Sequence, residues 1–100
     1  MAGPESKEEK DYCDWLNAGP YSALAIKLVL FTGGGFPDRT VVAESGIIFF
    51  IEFKRPDKKN GQQRRQSYWH KILQRLGFNY YVCYTTEEAI KISIKEMEGT

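Results

Sequence analysis

Apolar residues recur at two spacings along this chain, and each spacing predicts a different kind of element. From Ser6 the period is helical, and one face of the predicted helix carries Glu9, Tyr12, Trp15 and Leu16. The sequence Ser6-Lys7-Glu8-Glu9 has the form of a capping box, so the helix should begin near Ser6, and Asn17-Ala18-Gly19-Pro20 should end it. The next apolar run, Leu24 to Phe31, predicts a buried strand that leads into a glycine-rich loop.

Two runs rich in β-branched and aromatic residues lie on either side of Glu44-Ser45-Gly46. They are Arg39 to Ala43 and Ile47 to Lys54, and they predict a hairpin with a three-residue turn. The second strand should end before Pro56, because proline has no amide hydrogen to donate to a neighbouring strand.

The second half of the chain predicts a helix, a strand and a final helix. The first of these helices covers Gln62 to Leu76, and its inward-facing residues should be Trp69, Ile72, Leu73 and Leu76. Phe78 to Tyr84 predicts a strand, and Thr85-Thr86-Glu87-Glu88 caps a helix whose core-facing residues are Ile90, Ile94 and Met97. The order α-β-β-β-α-β-α predicts an α/β fold with a central mixed sheet flanked by helices.

Length and composition limit the class of protein. One hundred residues make a single domain, 1–100, and 42% hydrophobic with 27% charged residues is the composition of an ordinary globular protein. The longest apolar run, Gly46 to Ile51, is too short to cross a bilayer, and the first five residues lack the pattern of a secretory signal. Two cysteines suit a reducing compartment, and one histidine leaves too few ligands for a structural zinc site. We therefore expect a cytoplasmic protein, in a bacterial host cell if the chain comes from a phage or a bacterium.

A basic segment contrasts with the net charge of +1 for the whole chain. Between Lys54 and Arg75 lie eight lysines and arginines but one acid, Asp57. This composition favours a surface that binds a polyanion, although a solvated loop and helix face would share it. We expect contacts with nucleic-acid phosphates from Arg55, Lys58, Lys59, Arg64, Arg65, Lys71 and Arg75.

The predicted hairpin brings two carboxylates together. If its turn is centred on Ser45, Asp38 faces Glu52 on one side of the sheet, with Cβ atoms roughly 4.5–5.5 Å apart. The two carboxylates would repel each other unless a hard divalent cation such as Mg²⁺ lay between them. Lys54 emerges on the same face, where its charge would orient an attacking water or stabilise a phosphate. Each residue alone has an ordinary structural explanation, but together they favour a site that hydrolyses a phosphodiester.

Three further residues leave two interpretations open. Gln66 lies on the apolar face of its predicted helix, where its amide would bond either to the backbone or to active-site groups. Glu9 is either the acid of a capping box or a third acid of the site, with Glu5 as its competitor. His70 is more typical of a packing or phosphate contact than of a metal ligand.

Three motifs occur in order along the chain. They are Gly35-Phe36-Pro37-Asp38-Arg39, then Phe50-Ile51-Glu52-Phe53-Lys54, and then Gln66 followed by Leu73 and Leu76-Gly77-Phe78. Together they resemble those of the VRR-NUC family, the virus-type replication-repair nucleases of the PD-(D/E)xK superfamily, in its small stand-alone phage and bacterial form. The resemblance covers about Glu5 to Ala89 and implies a restriction-endonuclease-like fold and DNA cleavage that depends on Mg²⁺ or Mn²⁺.

The resemblance also implies a role for each site residue. Lys54 would position or activate water, Gln66 would orient Lys54 or water, and Lys27 and Arg39 would join the residues that contact DNA. The implied metal ligands are Asp38, Glu52, Phe53 and Glu9. Small stand-alone members of the family are homodimers similar to Holliday-junction resolvases, which implies a dimer that cuts branched DNA in DNA repair.

Two other functions stay open on the sequence alone. A DNA-binding module without catalytic activity would keep the same fold but would need no metal. A nuclease that acts on flaps, single strands or RNA would use the same carboxylates and the same basic segment.

Overall fold

The computed structural model describes residues 6–28, 35–54 and 62–99, and for residues 62–67 it describes the backbone only. These residues form helices and strands in the order predicted from the sequence, α-β-β-β-α-β-α. The elements are α1 (Lys7–Ala18), β1 (Ala23–Ile26), β2 (Arg39–Ala43), β3 (Ile47–Phe53), α2 (Gln62–Arg75), β4 (Asn79–Cys83) and α3 (Thr86–Glu98).

The four strands form one mixed sheet in the order β1-β2-β3-β4. The first three are antiparallel, whereas β4 runs parallel to β3 after the crossover through α2. In the β2–β3 hairpin Arg39 pairs with Ile51, which is the register predicted for a turn centred on Ser45. The turn Glu44–Gly46 reverses the chain through left-handed conformations at Ser45 (φ 65°) and Gly46 (φ 75°). The predicted hairpin is confirmed.

The two faces of the sheet are covered differently. Helices α1 and α3 pack on the face formed by odd-numbered residues of β2 and β3, here called the α1–α3 face, where the core contains Tyr12, Leu16, Val41, Phe49, Ile51, Cys83 and Ala89. Helix α2 packs on the opposite face, here called the α2 face, where Leu73 contacts Phe50 and Tyr80. Because α2 packs mainly over β4, apolar side chains of β1 and at the turn end of β3 stay exposed on this face, among them Leu24, Ile26 and Ile48.

The helix caps follow the predictions in part. In α3, Thr85 and Glu88 form the complete capping box that was predicted. In α1, the Ser6 hydroxyl accepts a hydrogen bond from the Glu9 amide at 3.1 Å, as a cap should. The Glu9 side chain does not return to Ser6, however, because it binds Arg39 of β2. The predicted capping box of α1 is therefore only half formed, and a tertiary ion pair takes its place.

Several predicted core positions need correction. Leu76 was expected to face inward but is 66% exposed, because α2 ends at Arg75 and Gly77 (φ 96°) then turns the chain toward β4. In α3 the predicted residues Ile90 and Met97 do pack against the core, but the most deeply buried residues are Ala89 and Ser93. Strand β1 was predicted as Leu24 to Phe31; it covers Ala23–Ile26, and residues 29–31 lie outside the described residues. Within the described residues, no helix is long and apolar enough to span a membrane.

Candidate active site

Asp38 stands one residue before β2, beside the end of β3. The hairpin register places it opposite Glu52, one step beyond the Arg39–Ile51 pair. One carboxylate oxygen, Oδ2, accepts a hydrogen bond from the Phe53 amide at 2.7 Å. This bond attaches the Asp38 side chain to the strand that carries Glu52, so both carboxyl groups lie at the same end of the hairpin.

Glu52 is 1% exposed and lies on the α2 face of β3. Its Oε1 accepts a hydrogen bond from the Tyr80 hydroxyl at 2.6 Å, and its Oε2 is 3.9 Å from Lys54 Nζ. Lys54 keeps to this face because its amide continues the ladder to β4 by donating to the Cys83 carbonyl at 2.9 Å. The structure thus brings together the three residues that the sequence placed at the centre of the site.

Both carboxyl groups are hard to ionise where they stand. Burial raises the pKa of Glu52 to about 7, and the negative charge of Asp38 adds to that rise, while the hydrogen bond from Tyr80 and the charge of Lys54 oppose it. Burial also raises the pKa of Asp38, against the opposing hydrogen bond from Phe53. Burial makes the ionised form of both carboxyl groups unfavourable. A hard divalent cation takes carboxylate oxygens as ligands and would stabilise the ionised form.

Glu9 lies in a different environment, on the α1–α3 face. It is 4% exposed, its Oε2 accepts from Arg39 Nε at 2.8 Å, and Lys27 Nζ is 3.6 Å away. Its charge contributes to the raised pKa of Asp38, so the two acids interact electrostatically. Among the described residues, however, no three His, Cys, Asp or Glu side chains form a group able to hold a metal ion. Glu9 as a third acid of the site stays a prediction, as does Phe53 as a ligand.

The residues predicted to contact nucleic acid fall into three groups. Lys27 and Arg39 are ion-paired with Glu9, and Arg39 Nη1 also donates to the Ala25 carbonyl at 3.2 Å. Lys71 and Arg75 are exposed on α2, as a phosphate contact requires. Outside the described residues and side chains lie Glu5, Arg55, Lys58, Lys59, Arg64, Arg65 and Gln66. Phosphate binding by any of them stays a prediction.

Tyr80 is a residue of the site that the sequence did not reveal. The sequence leaves two roles open for Tyr80, Tyr81 and Tyr84, an exposed aromatic patch or packing against the last helix, and the first two residues do not form a patch. Tyr80 is buried against Leu73 and bonded to Glu52, and the Tyr81 hydroxyl donates to Glu96 of α3. Only Tyr84 is well exposed. The parallel pairing of β3 with β4 brings Tyr80 to Glu52, and no local pattern predicts that pairing.

His70 is a packing residue in this structure, one of its two expected roles. Its ring stacks on Tyr80 with centroids 4.1 Å apart and planes 9° from parallel. Helix α2 is thereby joined to Glu52 through Tyr80.

A comparison with solved structures supports a nuclease-type domain. The chain is similar to a structure described as a VRR_NUC domain, with a TM-score of 0.63 and 25% sequence identity over 89% of this chain and 96% of that one. No family model and no curated protein matches the chain. The structural match confirms the resemblance to the VRR-NUC family and the fold expected from it.

Proposed function

We propose that this chain is a divalent-metal-dependent DNA endonuclease that hydrolyses phosphodiester bonds. The observation that carries the proposal is the arrangement of Asp38, Glu52 and Lys54 at one end of the hairpin, with Lys54 Nζ 3.9 Å from Glu52. The likeness to a VRR_NUC domain supports the nuclease character.

Asp38 and Glu52 would hold Mg²⁺ or Mn²⁺, and Phe53 and Glu9 are candidates for further ligands. When bound, the cation would neutralise phosphate charge and lower the pKa of water. Lys54 lies beside Glu52, so its ammonium group would orient the attacking water or stabilise the negative charge that builds up on the phosphate. Gln66 would orient Lys54 or the water.

We also propose that the enzyme selects branched DNA, in the manner of a Holliday-junction resolvase, and acts as a homodimer in DNA repair. A two-fold dimer would hold two identical sites at a fixed separation, which suits a junction with two strands to cut. The exposed apolar residues Leu24, Ile26 and Ile48 offer a surface for self-association, a role that buried Tyr80 does not suit. Two cysteines, Cys13 and Cys83, are too few for a disulfide framework and fit a reducing compartment, and we propose the cytoplasm.

The proposal is tested by incubating the protein with four-way junction, flap, duplex and single-stranded DNA and with RNA, each with Mg²⁺, Mn²⁺ or excess chelator. We expect cleavage of the junction, by symmetric nicks, with either metal and none with chelator. Full activity in chelator would contradict the metal site. Cleavage of flap or single-stranded DNA as fast as that of the junction would contradict the resolvase character. A preference for RNA would show that the substrate is RNA and not DNA.

The oligomeric state has a separate test. Light scattering at micromolar concentration should give a mass of about 23 kDa, twice that of the 11.5 kDa chain. Leu24→Glu, in the exposed apolar surface, should lower that mass. A stable monomer of the unmodified protein would contradict the dimer and leave the nuclease proposal intact.

A further inference from the structure

The hydroxyl of Tyr80 forms a hydrogen bond with one oxygen of the candidate metal ligand Glu52. It donates to Oε1 at 2.6 Å, whereas Oε2 is the oxygen that lies 3.9 Å from Lys54. A hydrogen bond from a neutral hydroxyl to a carboxylate is short and strong. It therefore restricts rotation of the carboxyl group and determines which oxygen is available on the side of Lys54.

Tyr80 is itself held in place from two directions. On the sheet it pairs with Phe50, two residues before Glu52, so its long side chain reaches diagonally to the Glu52 carboxyl group. Above the sheet its ring stacks on His70 of α2, with centroids 4.1 Å apart. A ring fixed by a strand and a helix gives its hydroxyl a defined position.

The geometry points to Tyr80 as a positioning residue that orients Glu52 for the cation. The inference rests on the proposed function, since Glu52 must be a metal ligand for its orientation to matter. Ligand carboxylates are commonly held by hydrogen bonds of this kind, and loss of such a partner typically costs about 10- to 100-fold in metal affinity or activity.

The chain contains a matched tyrosine that serves as a control. Tyr12 is also buried, and its hydroxyl also makes a 2.6 Å hydrogen bond, but its partner is Ser93 of α3 in the core of the α1–α3 face. Tyr12→Phe and Tyr80→Phe each remove one buried hydroxyl. Any effect that follows only from lost packing or a lost hydrogen bond should therefore appear in both variants.

Two measurements separate positioning from structure. The affinity for Mn²⁺ without DNA, measured by electron paramagnetic resonance of the free ion, should fall about 10-fold or more in Tyr80→Phe and less than about 2-fold in Tyr12→Phe. Cleavage at limiting Mn²⁺ should follow the same order, while the KM for DNA stays unchanged in both variants. If Tyr80→Phe binds Mn²⁺ as tightly as Tyr12→Phe, the positioning role is overturned although the nuclease proposal stands. A wild-type protein that neither binds Mn²⁺ nor cleaves DNA overturns both.

A measurement on the wild-type protein covers the case in which Tyr80→Phe does not fold. With ¹³C-labelled tyrosine, the resonance of the hydroxyl-bearing ring carbon of Tyr80 should shift in proportion to Mg²⁺ saturation, because the ion draws charge from the carboxylate that this hydroxyl binds. The Tyr12 resonance should stay in place. If the Tyr80 resonance does not move at Mg²⁺ saturation, the inference is overturned.

Discussion

Glu9 and Glu52 are both buried glutamates, 4% and 1% exposed, yet the fold gives them different partners. On the α1–α3 face Glu9 accepts from the Arg39 guanidinium at 2.8 Å and has Lys27 3.6 Å away. On the α2 face Glu52 accepts from a neutral tyrosine hydroxyl at 2.6 Å, and Lys54 is 3.9 Å away. Protein groups balance the charge of Glu9, whereas burial raises the pKa of Glu52 to about 7.

Burial alone does not identify a reactive carboxylate, since Glu9 and Glu52 are both buried. A buried acid that is paired with a guanidinium has a counter-charge within the protein, which offsets part of the cost of leaving water. A buried acid that has a hydroxyl and a more distant ammonium still carries much of that cost, and a bound cation would remove it. The incomplete balance at Glu52 is therefore the better indication of function.

The largest expected effect concerns the two carboxylates of the site. Asp38→Asn and Glu52→Gln remove charge but little volume, so we expect each to lower cleavage by more than about 1000-fold, the several kcal/mol that a catalytic metal supplies. DNA binding without metal should persist. Cleavage rates and gel-shift titrations measure the two properties, with Glu44→Gln in the exposed turn as the control. Unchanged turnover in Asp38→Asn would remove that residue from the site.

The two lysines beside the buried glutamates make a matched pair, since each side chain is 31% exposed. Lys54→Ala should lower kcat about 100-fold, because it removes a positive charge at the reacting phosphate, and should weaken binding little. Lys27→Ala should weaken DNA binding and leave kcat nearly unchanged. Lys71→Ala, on the exposed face of α2, should weaken the salt dependence of binding. The slope of log binding constant against log salt concentration should fall in magnitude by about 1. If Lys54→Ala behaves as Lys71→Ala does, Lys54 is only a phosphate contact.

Glu9→Gln tests the other side of the comparison. It removes the negative charge that Glu9 places beside Arg39 and Lys27, so we expect a loss of about 2 kcal/mol in the free energy of unfolding. This is less than the 3–5 kcal/mol typical of a fully buried pair, because Lys27 is partly exposed. Denaturant unfolding without metal measures this loss. Activity per folded molecule should fall less than in Glu52→Gln. If Glu9→Gln lowers activity as much as Glu52→Gln does, Glu9 is an acid of the site. If Glu9→Gln cleaves normally and Glu5→Gln does not, the site acid is Glu5, one helical turn earlier.

The smallest expected effect is a slope of stability against pH. The folded-state pKa of Glu52 is raised from 4.5 to about 7, so without metal the folded protein binds more protons than the unfolded chain between these values. Glu52 therefore stabilises the fold most below pH 4.5, and this contribution is lost as pH rises to about 7, by at most about 1.4 kcal/mol per pH unit. Glu52→Gln should flatten this part of the curve. A wild-type protein whose metal-free stability rises with pH between 5 and 7 more steeply than that of Glu52→Gln would contradict the raised pKa.

The accuracy of the sequence predictions depended on the range of the interactions involved. The β2–β3 register followed from a three-residue turn and two short runs, and it placed Asp38 opposite Glu52 correctly. The local cap at Thr85 was also predicted. The spacing of Glu9 from Ser6 fits the acid of such a cap, one of the two roles left open for it, but its carboxylate binds a guanidinium from another element instead. The exposed position of Leu76 was missed because α2 ends one residue before it.

By itself, the sequence determined the element order, the hairpin register and the grouping of Asp38, Glu52 and Lys54, because each depends on residues close together in the chain. Only the tertiary structure decided the partners of the buried glutamates. Arg39 lies 30 residues from Glu9, and Tyr80 lies 28 residues from Glu52. The first contact needs α1 packed against β2, and the second needs β4 paired in parallel with β3 after the α2 crossover. Such contacts depend on how separate elements pack together, and no local periodicity of apolar residues specifies that arrangement.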